Sequence, residues 1–242
     1  MGDRLLFRQL LDYESFTYTY LVADRVSRDA ILIDSVFERV DRDLRLISEL
    51  GLQLRYALET HVHADHVTGA ARLREATGCV IGVGQAAGVE EAGLQLKDGS
   101  RLAFGGLTLT ALATPGHTVG CLSYLLGDRV FTGDALFVRG TGRTDFQQGS
   151  ASTLYQSICG KLYTLPDDTL VFPAHDYNGN TQSTIGEEKE YNPRIFDGQS
   201  EEAFSKLMSS LKLAHPKKID VAVPANQHCG RGYSGQPAKV AR

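Results

Sequence analysis

Residues 54–66, LRYALETHVHADH, pass from an apolar run of strand character into a cluster of metal-type ligands, His61, His63, Asp65 and His66. The same arrangement recurs three times downstream. LTLTALATPGH (107–117), RVFTGDA (129–135) and TLVFPAH (169–175) lead to His117, Asp134 and His175. A strand that gives way to a loop at such a residue is where binding and catalytic groups collect. Taken singly, each histidine reads better as an ordinary loop or N-cap residue. Five of the chain's seven histidines fall at these strand ends, however, so the pattern belongs to the set.

Working outward, Thr68–Thr77 predicts a helix behind the HVHADH loop, and CVIGVG (79–84) another strand, which completes one β-loop-α-β unit. Upstream, FTYTYLVADRVSRDAILID (16–34) predicts a hairpin that opens the fold. Val36, Val40, Leu44, Ile47 and Leu50 then recur at helical spacing, with Gly51 as the stop. Downstream, residues 99–113 form strands about a Gly105-Gly106 turn, and CLSYLL and RVFTGD extend the sheet. ASTLYQSICGKLYTL has helical spacing, residues 178–192 read as a loop, and EEAFSKLMSSLKLA is a helix before a Pro- and Gly-containing tail. Hairpin-like turns together with one clear crossover favour a mixed-sheet α/β sandwich over an all-parallel sheet. Its strand-end loops would meet on one edge and gather the ligands there. The 242 residues are read as a single domain, 1–242, with a short C-terminal extension from about 195.

Composition narrows the function classes. A formal net charge of −4 with dispersed Lys and Arg offers no broad footprint for nucleic acid. Acidic residues interrupt the N-terminal apolar stretch before signal-peptide or membrane length, so no membrane association is expected. Cys79, Cys121, Cys159 and Cys229 stand far apart with no CxxC pair, which fits a soluble protein of the reducing cytoplasm. In extended backbone His61, His63 and Asp65 project to one side and His66 to the other, so one segment could serve two metal positions. Imidazole and carboxylate suit zinc, iron or manganese, and the lack of clustered thiolates argues for a catalytic rather than a structural site.

The motifs THVHADH, TPGH, TGDAL and FPAH resemble the metallo-β-lactamase superfamily, whose HxHxDH signature is complete here. Within it the chain is most similar to the persulfide (sulfur) dioxygenases, relatives of glyoxalase II. The segments that carry this are FRQLLDYESFTYTYLVAD, TGDALFVRGTGRTDFQQGS, FPAHDYNG, EEKEYNPR and VPANQHCG. The resemblance implies an αββα sandwich of two mixed sheets flanked by helices. It also implies one Fe(II) per chain, held by His61, His117 and Asp134, with His63, Asp65, His66, His175 and Tyr177 around it. That ligand set leaves positions for solvent, dioxygen and a substrate sulfur. The implied reaction oxidises glutathione persulfide with dioxygen and water to sulfite and glutathione, in a homodimer.

Among neighbouring residues, Arg143 is expected to orient the site or an anionic substrate, and Tyr177 to donate a hydrogen bond near it. Thr118 is read as a substrate-binding or loop-capping residue, Cys121 as a small apolar residue, and Cys229 as a substrate-binding residue that could line the substrate mouth. His215 and His228 are given no chemistry, and the EEKE run (187–190) reads as a solvated face. The competing enzyme is a glyoxalase II type hydroxyacylglutathione hydrolase, in which His63, Asp65, His66 and His175 would join a dinuclear site. A longer helical C-terminal domain is expected of that enzyme. A metal- or redox-sensing module without turnover is the non-enzymatic alternative.

Overall fold

The computed structural model describes residues 4–235. The first sheet contains β1 (Leu5–Asp12), β2 (Thr17–Asp24), β3 (Asp29–Ile33), β4 (Gln53–Leu58), β5 (Val80–Gly84) and β6 (Leu94–Leu96), in that spatial order. β1 to β3 form an antiparallel meander, and β3 to β6 run parallel. The second sheet is ordered β12 (Ser183–Thr184), β11 (Leu170–Pro173), β10 (Arg129–Gly133), β9 (Leu122–Leu126), β8 (Leu107–Ala113) and β7 (Arg101–Phe104). Its neighbours are antiparallel except the parallel pair β10 and β11. This is the expected mixed-sheet sandwich.

Residues facing between the sheets explain why they pack. Tyr20, Val22, Ile31 and Ile33 from the first sheet meet Leu109, Tyr124, Phe131 and Phe172 from the second. Full burial of each such side chain is worth about 1.5–3 kcal/mol. β2 is buried at all eight positions because its other face is covered as well. Helices α1 (Val40–Glu49) and α2 (Ala70–Thr77) flank the first sheet, whose outer cluster holds Leu32, Ala57 and Ile81. Helices α3 (Ala151–Ser157), α4 (Ile185–Tyr191) and α5 (Glu201–Ser210) flank the second through Leu154, Ile185 and Phe204. α3 runs on as a wider π turn over Ile158–Leu162. α1 ends as expected, with Gly51 at φ +61°.

Four expectations are corrected. The hairpin of β2 and β3 does not open the fold, because β1 precedes it; LLFRQLLD alternates poorly and was legible only through its pairing with β2. Of residues 178–192, only 178–182 are the expected loop. β12 pairs with β11, and Thr184 caps α4 by accepting from the Glu187 amide. Within that helix the EEKE run is not wholly solvated, since Glu188 is buried against Arg139, Ser183 and Asn192. Finally, the tail contains α6 (Ile219–Asn226) despite Pro224, stabilised by the burial of Ala222 and Asn226. Among the described residues no helix is long and apolar enough to cross a membrane.

Candidate metal centre

The carboxyl ends of β4, β8, β10 and β11 open on the same edge of the sandwich, and there the ligand-type residues meet. His61, His117 and Asp134 are all buried, and each offers a ligand atom within 4.8 Å of the others. The His61 and His117 rings stand at 88° with centroids 4.9 Å apart, and His117 Nε2 lies 3.4 Å from Asp134 Oδ2. Asp134 Oδ1 is buried with no hydrogen-bond partner. A buried acceptor left in this state fits a cation.

The outer faces of the ligands are held in ways that set their tautomers. His117 Nδ1 donates to the Arg143 carbonyl at 2.7 Å, which leaves the Nε2 lone pair directed inward. His61 Nδ1 lies 3.0 Å from Thr60 Oγ1, and that hydroxyl donates in turn to Asp34 Oδ2 at 2.9 Å. The chain Asp34–Thr60–His61 therefore leaves His61 Nε2 free for a metal. Burial, followed by the neighbouring His63 and His117, pushes the His61 imidazole well below its ordinary value, so it is neutral as a ligand must be.

The remaining histidines and Asp65 form a second layer of contacts. His63 Nε2 lies 3.2 Å from Asp34 Oδ1 and 3.4 Å from Glu59 Oε2. Burial alone would lower its value, but Asp34 and Glu59 override this and hold it well above the ordinary range. His66 Nδ1 pairs with Asp65 Oδ2 at 3.0 Å. His175 Nε2 sits 3.5 Å from Asp134 Oδ1 and 3.7 Å from Asp65 Oδ1. Burial opposes its protonation, and those two carboxylates outweigh it. The extended-chain expectation that His66 points elsewhere fails because residues 61–66 bend rather than continue β4. The His63 and His66 rings are 4.3 Å apart. His63 Nδ1 and His66 Nε2 are buried without partners, and His63, Asp65 and His66 also offer ligand atoms within 4.8 Å of one another.

A cleft of about 400 Å³ leads to the centre, with His117, Asp134 and His175 at its base. Tyr177 stands on its wall, exposed rather than in the core, with its ring stacked 6.1 Å from His175. Three guanidinium groups reach the cleft. Arg139 is taken by Glu188 and Glu187. Arg143 forks onto Asp145 at 2.6 and 2.7 Å and donates to the Ala214 carbonyl, so it serves the site chiefly through its own carbonyl on His117. Arg194 donates to the Thr141 carbonyl at 2.5 Å and has no carboxylate partner among the described residues. Burial lowers its value, as for a cation short of counter-charge.

Two expected substrate residues lie elsewhere. Thr118 faces away from this cleft, and its amide and hydroxyl both lie 3.2 Å from Cys121 Sγ, the loop-capping geometry. Cys229 packs in the apolar cluster beneath α2 rather than at a substrate mouth, and burial pushes its thiol up to about 11. Cys121 is buried, its thiol pushed up to about 12, and it is not among the clustered ligand atoms. Asp34, Glu59, Thr60, Arg194 and Asn226 went unread. For Asp34 a signal existed, because AILID is a further apolar run that ends in a ligand-type residue.

The chain belongs to the metallo-β-lactamase superfamily, whose family model matches residues 12–175. The human mitochondrial persulfide dioxygenase ETHE1 is 50% identical over 232 residues, covering 95% of this chain and 90% of the relative. The crystal structure of ETHE1 from Myxococcus xanthus superposes with a TM-score of 0.91 at 54% identity, covering 93% of this chain and 99% of that one. Glyoxylase B2 of Dictyostelium discoideum is more distant, 29% identical over 271 residues that cover 95% of this chain and 92% of its own. At this similarity the chain is a persulfide dioxygenase, an enzyme of sulfur oxidation.

Proposed function

We propose that the enzyme oxidises glutathione persulfide with dioxygen and water to sulfite and glutathione, using one Fe(II) held by His61, His117 and Asp134. The observation that carries the reading is the buried triad of two imidazoles and one carboxylate, with two outer contacts that leave both Nε2 atoms free. Such a facial set suits non-haem iron. Bound there, the iron would supply the electron transfer that activates dioxygen beside the substrate sulfur. Arg194 binds a carboxylate of the glutathione moiety, and Tyr177 borders the path of the persulfide group into the cleft. His175 Nε2 stands 3.7 Å from Asp65 Oδ1 and 3.5 Å from Asp134 Oδ1, next to where protons are released. The overall change is balanced: persulfide, dioxygen and water give thiol, sulfite and two protons.

The residues are read as one domain in a cytoplasmic homodimer; four free cysteines suit a reducing compartment. A second reading rests on the unpartnered His63 Nδ1, His66 Nε2 and Asp134 Oδ1, which could take a second metal as in a dinuclear hydrolase. One experiment separates the two. Anaerobically reconstituted protein is assayed for metal content, for oxygen uptake with fresh glutathione persulfide, and for S-lactoylglutathione hydrolysis. About one iron per chain with rapid uptake and sulfite supports the dioxygenase. Two metals, no uptake and thioester turnover would replace it with the hydrolase.

A further inference from the structure

The segment EEKEYNPR (187–194) does more than supply Arg194 to the cleft. Pro193 cannot continue a helix and holds the residue before it extended, so α4 stops at Tyr191 and Asn192 follows at φ −71° and ψ 115°. Asn192 is buried, and its amide makes every hydrogen bond open to it. Oδ1 accepts from the Arg194 and Ile195 amides at 3.0 and 3.2 Å, the turn that Asn favours by reaching its own backbone two residues on. Nδ2 donates to Glu188 Oε2 at 2.8 Å and to the Gly140 carbonyl at 3.1 Å. Gly140 lies in a strap, residues 139–143, in which each residue is tied through its backbone. The Arg139 amide donates to Glu188 Oε2, and the Thr141 carbonyl accepts from Arg194 Nη1. The Gly142 amide donates to the Asp134 carbonyl at 2.9 Å, and the Arg143 carbonyl accepts from His117 Nδ1. The strap thus meets the Arg194 head at one residue and two of the three metal-type ligands at the next two.

We infer that Asn192 is a positioning residue: it fixes the Arg194 guanidinium at a set distance from the metal ligands, and so selects persulfides by the span from carboxylate to sulfur. The inference rests on the reading of Arg194 above as the anchor for a glutathione carboxylate. A guanidinium on a free stem loses rotamer freedom when it binds. Here Asn192 Oδ1 holds the backbone of Arg194 and the Thr141 carbonyl holds its head before substrate arrives. The other N–H groups of the fork are left for a carboxylate. Because Asn192 bonds the same strap that carries Thr141 and supports Asp134 and His117, anchor and ligands share one support. A persulfide whose carboxylate lies nearer to its sulfur, or farther from it, than in glutathione would give up one of the two contacts.

The test uses the iron-loaded enzyme. Asn192→Ala should raise the KM for glutathione persulfide about fivefold, the worth of one hydrogen bond, with iron content retained. Added to Arg194→Leu, it should raise the KM by less than about twofold more, because no guanidinium is then left to place. A KM that does not move, losses that multiply in the double variant, or iron lost in step with the rise in KM would each overturn the role and leave Asn192 a packing residue. Asn192→Asp, of the same size but with no N–H for the Gly140 carbonyl, carries the same comparison should the alanine variant fail to fold. Affinity for glutathione itself, measured by calorimetry on the same proteins, should follow the same pattern without any turnover. Absence of oxygen uptake by the wild-type protein would remove the dioxygenase reading separately, and the glutathione affinities would still decide the role of Asn192.

Discussion

At the scale of single residues, the site depends on side chains that touch no substrate. Thr60 links Asp34 to His61, and Thr60→Val keeps the shape while removing the link. Iron affinity should fall about 10–100-fold, read by competition with a chelator at unchanged secondary structure. Arg194→Leu removes the guanidinium that has no carboxylate partner among the described residues. The KM for glutathione persulfide should rise about 10-fold or more with little change in kcat. A persulfide without carboxylates should be handled equally by both proteins. Asp43, buried in α1, behaves differently. Burial pushes its carboxyl up to about 6 against the opposing Arg42, and Oδ2 has no partner. Its folded value lies above the unfolded one of about 4, so the folded state binds the extra proton and stability falls as pH rises through 4 to 6. Asp43→Asn should therefore stabilise the protein on the order of 1–3 kcal/mol at pH 7, with the gain vanishing below pH 4 in denaturation curves.

At the scale of elements, strand ends deliver the ligands because their backbones approach closely. Gly133, the last residue of β10, has φ +55°, and a Cβ there would lie 2.6 Å from Thr60 Oγ1. Gly133→Ala should cost about 1–3 kcal/mol and also displace Thr60, so that iron retention falls along with the melting temperature. A variant that loses stability but retains iron as the parent does would separate the two effects. Several other non-glycine residues with positive φ lie at or beside the centre, among them Phe16, Asp34 and Arg139. The Phe16 carbonyl lies 3.3 Å from His175 Nδ1. Local strain is tolerated where surrounding contacts over-determine it.

At the scale of the whole molecule, the C-terminal segment closes on the first ligand motif. Asn226 of α6 donates to the His63 and His66 carbonyls, both at 2.9 Å, and accepts from the Thr68 amide at 2.8 Å. A chain separation of about 160 residues thus ends in three hydrogen bonds on the loop that carries four ligand-type side chains. Asn226→Ala should destabilise by about 2–4 kcal/mol, counting roughly 1 kcal/mol per bond and the polar groups left buried. Metal should also leave faster in chelator-chase measurements. An unchanged release rate with lowered stability would limit Asn226 to a structural role.

The mixed sandwich and the ligand residues were legible along the chain because strand periodicity and the histidine spacing are local properties. So were α1, with its terminal Gly51, and the hairpin of β7 and β8. What the sequence left open depends on partners distant in sequence. β1 is a strand because β2 pairs with it, Glu188 is buried because Arg139 meets it, and α6 persists because Asn226 has carbonyls to bind. The same reason separates Arg143 from Arg194. Both are arginines in motif-like segments, and only folding shows that Asp145 satisfies the first and that the second stands in the cleft without a carboxylate partner among the described residues. Sequence by itself determined which residue types could hold a metal at four strand ends. Tertiary structure alone decided which of their atoms are free to do so, because that depends on which other atoms fold against them.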